Sequence, residues 1–167
     1  MAQHRSRGGA LLKRREQIKL TADERAAFLS LAKACTLATI GPQGFPQLTA
    51  MWFALIEGKF HFSTYGKSQK VRNLERNRKC SVLVEDGASY AELRGYSVEG
   101  DAEVIADPAL TFHVMREISK RYMGFDPGMA GPEVEQATLA RIAKRVVVRV
   151  HAVREISWDH RKLGGTY

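Results

Sequence analysis

Hydrophobic and polar positions follow two rhythms along this chain, and each change of rhythm marks an element. In LTADERAAFLSLAKA, residues 20–34, the apolar face Ala26, Phe28, Leu29, Leu31 and Ala32 has helical spacing. Thr21 followed by Glu24 is a capping box that sets the start of that helix. From Cys35 to Gly66 the period falls to two. CTLATIGPQGFPQLTAMWFALIEGKFHFSTYG reads as strand, turn, strand, turn, strand, broken at Gly41-Pro42-Gln43-Gly44 and at Glu57-Gly58, an antiparallel meander. Helical spacing returns in KSQKVRNLERNRK through Val71 and Leu74, and CSVLVED is a short buried strand ending at the Asp86-Gly87 turn. YAELRGYSVEGDAEVIAD, residues 90–107, predicts one long strand in which Gly95 and Gly100 permit bulges or bends.

Asp107-Pro108 caps and opens a further helix to about Arg121, GFDPGMAGPEVEQ forms a loop, and a short helix follows near residues 133–143. RVVVRVHAVREISWD, residues 145–159, closes the chain as a long alternating strand. The sum is about six strands, mostly consecutive and antiparallel, with helices between them. That is a mainly β (α+β) pattern, not the alternation of a doubly wound parallel sheet. A small six-stranded antiparallel β-barrel flanked by helices fits, because closure removes edges and helices cover the mouths.

Composition narrows this picture. A chain of 167 residues with 44% hydrophobic and 26% charged residues suits one domain with its own core. No apolar run approaches the roughly 20 residues of a membrane span, and the basic N-terminus lacks the features of a secretory signal, so a cytoplasmic location is expected. Residues 1–19 hold six basic residues against Glu16 alone, carrying +5 of the net charge of +8. They read as a basic, flexible arm ahead of a single domain at 20–167, an arm able to bind an anionic ligand or simply to be solvated. Cys35 and Cys80 are far apart and sit in apolar runs, which predicts buried free thiols. The five histidines are scattered, and no metal site is expected.

A nucleophile paired with a base is not visible. There is no Gly-x-Ser-x-Gly elbow, and Gly66-Lys67-Ser68 lacks the upstream glycine of a phosphate loop, since position 61 is His. Catalytic residues are left unassigned. What stands out is an anion site in STYGKSQKVRNLERN, residues 63–77. Ser63 and Thr64 end a strand, Gly66 allows close backbone approach, and the following helix offers free amides at its positive end. Lys67 and Lys70 share one face of that helix, and Asn73 continues it. Hydroxyls, amides and two ammonium groups complement a phosphate; the alternative is a solvated basic helix face.

GFPQLTAMWFALIEGKFHFST followed by KVRNLERNRKCSVLVE resembles the pyridoxamine 5'-phosphate oxidase-like superfamily of flavin-binding split β-barrels. The resemblance covers about residues 20–160 and is most specific from Gly44 to Glu85. It implies a homodimer with a flavin-type cofactor at the interface, the ring along the second strand and the phosphate on the segment after the third. Gln47, Leu48, Thr49, Ala50, Met51 and Trp52 would line the ring. Ser63 and Thr64 would meet the phosphate, with Gln69 and Lys70 where the family places a basic pair. Gln69 departs from that pair, and Lys67 would supply the missing charge. Where the family's long strand often has Gln after Arg to contact the cofactor, this chain has Arg94-Gly95, so the contact is absent or replaced by Tyr96 or backbone.

The ending ISWDHRKLGGTY lacks the Arg-Leu-His-type signature of pyridoxamine phosphate oxidases proper, although Trp158 and Arg161 would approach the cofactor across the interface. The shorter chain with a leading helix is similar to the flavin/deazaflavin branch that uses coenzyme F420. The basic arm, Arg72, Arg76 and Arg78 would suit that coenzyme's acidic tail. The resemblance implies hydride transfer from reduced F420 to a small-molecule acceptor of enone, quinone or tetrapyrrole type; solvent, or a pocket group such as Tyr65 or Tyr96, is left as the proton source. FMN-dependent chemistry on the same scaffold, or a carrier that binds F420 without turnover, are the alternatives. A basic nucleic-acid-binding barrel is disfavoured, because Phe60 and Phe62 alternate with His61 as ordinary barrel residues.

Overall fold

In the computed structural model, which describes residues 14–164, the capping box sits where the sequence places it. Thr21 Oγ1 accepts from the Glu24 N–H at 3.2 Å, and the Thr21 N–H donates to Glu24 Oε2 at 2.7 Å. These bonds open α2 (Ala22–Leu31), which follows the single turn α1 (Arg14–Gln17) and turns Phe28 and Leu29 into the core. Most of the basic arm, residues 1–13, lies outside the described residues. From Ile18 the chain is stitched to the closing strand: the Asp159 N–H donates to Ile18 O at 2.7 Å, and the Leu20 N–H to Ser157 Oγ at 3.1 Å.

The remaining elements are β1 (Cys35–Ile40), β2 (Pro46–Met51), β3 (Ala54–Ile56), β4 (Lys59–Tyr65), α3 (Gln69–Arg76), β5 (Lys79–Asp86), β6 (Arg94–Ile105), α4 (Pro108–Met123), α5 (Pro132–Ile142) and β7 (Arg145–Asp159). All strand pairings are antiparallel in one sheet of order β2-β1-β5-β6-β7-β4-β3. β2 and β3 are thus opposite edges, yet only Trp52 and Phe53 separate them. That link reaches about 10 Å, whereas the edges of a flat seven-stranded sheet would stand roughly 29 Å apart. The sheet must therefore curl until its edges meet, which makes the split barrel.

The strands number seven rather than the expected six, because the middle strand of the meander breaks at Trp52-Phe53. Phe53 turns inward, fully buried, with its ring 5.0 Å from that of Phe60. Its N–H donates to Tyr122 Oη at 3.2 Å in place of a ladder partner, and Trp52 turns outward to stack on Tyr122 at 4.7 Å. The long strand also begins later than expected. Tyr90–Glu92 is a turn of 3-10 helix, held by the Ser89 N–H donating to Glu92 Oε2, and β6 starts at Arg94. A register shift falls at Glu99/Gly100, as the glycine predicts; a Cβ at Gly100 would lie 2.4 Å from His151 O.

The barrel core is Leu37, Phe53, Phe60, Phe62, Leu74, Val82, Val84 and Val98, and α4 covers a second cluster of Ala54, Val114, Ile118 and Val147 on the other face of β4 and β7. Cys35 and Cys80 are buried and unbridged, and burial pushes their thiols up to about 12 and about 11, so both stay neutral. Among the described residues no helix is long and apolar enough to cross a membrane, and no group of three or more His, Cys, Asp or Glu could hold a metal ion.

Candidate functional site

The turn after β4 brings two distant cations together. Tyr65 pairs with Arg145 across the β4–β7 ladder, and the Gly66 N–H donates to Lys144 O at 3.0 Å. Arg145 therefore lies beside the start of α3. Its Nε donates to Ser63 Oγ at 3.1 Å, and its guanidinium covers the Tyr65 ring at 4.8 Å. Lys70, on the first turn of α3, donates to Thr64 Oγ1 at 3.4 Å, and Ser68 Oγ stands 3.4 Å from the same oxygen. Neither cation pairs with a carboxylate among the described residues. Partial burial, and next the Arg145 charge, lower the Lys70 ammonium below its ordinary range. Two half-buried cations beside three hydroxyls repel one another until an anion joins them, which is the chemistry of a phosphate seat.

Asn73 plays a different part from the one its helix face suggests. It is fully buried: its Nδ2 donates to Thr39 Oγ1 at 3.0 Å and to Gln47 Oε1 at 2.7 Å. Its Oδ1 accepts from Gln69 Nε2 at 2.9 Å and from Arg76 Nη2 at 3.2 Å. Both donors and both acceptor positions of the amide are thereby used within the protein. Asn73 ties α3 to β1 and β2, and so positions Lys70; Gln69 and Gln47 are members of the same network. Arg76 also bonds Ile40 O at 2.6 Å, and Arg78 bonds Ala102 O at 3.1 Å, while Lys67 and Arg72 are exposed.

Ala50, Met51, Trp52, Ser63, Tyr65 and Arg145 open onto a cleft of about 690 Å³, closed on its far side by Met115, Ile118 and Met123 of α4 and by Arg141 and Ile142 of α5. Among the described residues no acidic one lines it. Ser63 and Arg145 join this cleft to the Lys70 seat. Leu48 is exposed on β2, with Thr49 half-buried beside it, and neither lines the cleft. The α4 and α5 residues and both arginines escape sequence reasoning. The one local signal is that Arg145 opens the closing strand with a cation, and nothing in the sequence tells that this strand pairs with β4.

Trp158 stands elsewhere, paired with Gly95 across β6 and β7. The indole lies over the glycine so closely that a Cβ there would be 2.2 Å from a ring carbon. The Arg94-Gly95 departure thus makes room for Trp158. Gly95→Ala should displace the indole and lower stability by about 1–3 kcal/mol, read as a shift in tryptophan emission and a lower Tm; an unchanged spectrum would refute the packing. Arg161 is turned onto Asp159, at 2.5 Å. Tyr96 is in the barrel core, 5% exposed, does not line the cleft, and burial and then Glu155 push its phenol up to about 12. Tyr65 remains at the cleft.

A family model described as pyridoxamine 5'-phosphate oxidase matches residues 21–159. No curated protein sequence matches the chain. The chain is similar to the crystal structure of a conserved hypothetical protein from Mycobacterium tuberculosis, at 42% identity and a TM-score of 0.83, covering 93% of this chain and 94% of that one. It is similar to a structure named F420 reductase, at 28% identity and a TM-score of 0.57, covering 77% and 93%. It shares its fold with a haem storage protein from Vibrio cholerae, at 17% identity and a TM-score of 0.62, covering 81% and 94%.

Proposed function

The chain belongs to the pyridoxamine 5'-phosphate oxidase family, and from that membership we propose that it is an oxidoreductase that binds the deazaflavin coenzyme F420 and passes hydride to an organic acceptor of enone, quinone or tetrapyrrole type. One observation carries this reading: Lys70 and Arg145, with no acidic partner among the described residues, stand over Ser63, Thr64 and Ser68 beside a largely apolar cleft that no described carboxylate lines. A phosphate joined to a flat ring complements that arrangement. The similarity to a protein named F420 reductase supports the deazaflavin. FMN, whose phosphate would suit the same seat, is the second reading.

When bound, the cofactor supplies the hydride, and the chain's residues bind, orient and shield it. Lys70, Arg145, Thr64 and Ser68 hold the phosphate, with Lys67 at the rim. Ala50 and Met51 at the end of β2, and Trp52 just after it, lie along the ring. Trp52, backed by Tyr122, and Met51 form the wall that keeps water out.

The site belongs to a homodimer. On the outer face of the sheet Thr36 pairs with Ala50 and Leu83, and Ala38 with Leu48 and Ser81. An antiparallel sheet facing water presents polar residues there, yet four of these six residues are apolar, with Leu48 69% exposed. A second copy would bury it and bring Trp158 toward the neighbouring cofactor. Titration of the purified chain should give tighter binding of F420 than of FMN, oxidation of reduced F420 by acceptors from the proposed class, and a dimer by light scattering. Tight FMN with no F420 binding would replace the first reading by the second; F420 binding without turnover would leave a carrier.

A further inference from the structure

Among the described residues, Arg141 and Arg145 are the cations that line the cleft, and the cations of α4 are engaged elsewhere. Arg116 is paired with Asp126 at 2.7 Å, Lys120 is paired with Glu117, and Arg121 donates to Leu29 O and Ala32 O. Arg145 is turned onto Ser63 and Tyr65. Arg141, in the last turn of α5, lines the cleft and pairs with no carboxylate among the described residues. A cation in a last helical turn is favoured by the helix dipole alone. What gives Arg141 a further role is its place in a wall otherwise made of Met115, Ile118, Met123 and Ile142.

The cleft also has a flat side. Tyr122 covers one face of the Trp52 indole, in a stack only 5° from parallel, and the side chain remains 51% exposed where it borders the cleft. Trp52 and Arg141 line the same cleft, so one ligand can set a planar apolar group on that indole and offer a carboxylate to the guanidinium, whose planar fork matches it in a way a lone ammonium cannot. We infer that the cleft takes a planar apolar acid, stacked on Trp52 and held by Arg141, so that the acceptor is an organic acid rather than a neutral enone or quinone. This rests on the oxidoreductase reading only in calling the ligand an acceptor; the preference for an acid belongs to the cleft itself.

The test uses the full chain and a matched pair of probes, 2-naphthoate and its neutral amide 2-naphthamide, with affinities read by calorimetry in the absence of cofactor. Naphthoate should bind about twofold to fivefold more tightly, the worth of one solvent-exposed charge pair. Arg141→Met should bring naphthoate down to the level of naphthamide while naphthamide keeps its affinity, which also certifies the fold. Lys70→Met should leave the preference in place. Equal binding of the two probes by the unaltered protein, binding of neither, or a preference that survives Arg141→Met would overturn the inference. A preference removed by Lys70→Met instead would put the carboxylate in the phosphate seat, overturning the inference while sparing that seat. Failure of F420 and FMN to bind, with the acid preference intact, would sink the functional reading alone.

Discussion

Replacing Lys70 by methionine should weaken binding of F420, or of FMN if that is the cofactor, by roughly 10-fold to 150-fold, the worth of about 1.5–3 kcal/mol for a hydrogen bond to a charged group. Lys70 holds Thr64 Oγ1 at 3.4 Å on one side of the seat, and Arg145 holds Ser63 on the other. Arg145→Met should cost a similar factor, and Arg145→Lys should recover only part of it, since an ammonium keeps the charge and loses the fork. The cofactor-free protein should behave in the opposite sense. Burial and Arg145 lower the Lys70 pKa from its ordinary value of 10.5, so the charged form is less favourable folded than unfolded. That cost is fully present below the lowered value and vanishes as pH rises from there to 10.5. Lys70→Met should therefore leave the Tm at neutral pH unchanged or slightly raised, while affinity for the phosphate collapses. In the unaltered protein, affinity should fall as alkaline pH deprotonates Lys70, and this dependence should be absent in Lys70→Met. Unchanged affinity in the variant would remove the phosphate seat.

Asn73→Leu should be among the most destabilising single changes in the described chain. The leucine fills the space but leaves Gln47, Gln69 and Arg76 without their buried partner, and Thr39, 1% exposed, without a donor. The buried Thr39 hydroxyl left without a donor and the bonds lost by the exposed Gln47, Gln69 and Arg76 cost about 2–4 kcal/mol together, and at roughly 2–4 °C per kcal/mol for a domain of this size the Tm should fall by about 5–15 °C. Because Asn73 anchors the helix that carries Lys70, cofactor affinity should also fall at temperatures where the variant is still folded. Differential scanning calorimetry with and without cofactor separates the two effects. A Tm within a degree of the parent protein would show the network to be dispensable.

Asn73 also illustrates what can be read from one dimension. Its place on the Lys70 face of a helix is legible from spacing alone, but its burial depends on Thr39 and Gln47, which arrive from β1 and β2. The same holds for Gly95. As a permissive residue in a strand it is visible in the sequence; its partner, the Trp158 indole, is set by the β6–β7 register. Lys70, Thr64, Met51 and Trp52 are legible as candidate site residues because the β4–turn–α3 pattern is local and resembles a known family. Arg141 and Arg145 are not, since a lone arginine near a strand start carries no local signature.

The sequence by itself determined the elements whose causes lie within a few residues: the Thr21 capping box, the glycine turns, the strand periods, and the strand-to-helix turn that offers amides and Lys70 to an anion. Those are governed by short-range hydrogen bonds and backbone geometry, which the chain carries everywhere with it. Only the tertiary structure decided that β2 and β3 become opposite edges of one curled sheet, that Phe53 breaks the strand between them, and that β7 delivers Arg145 to Lys70. These depend on which strands pair and on how a closed sheet fills its interior. Burial of the large side chains is met only once, by the whole barrel, and no window of the sequence contains it.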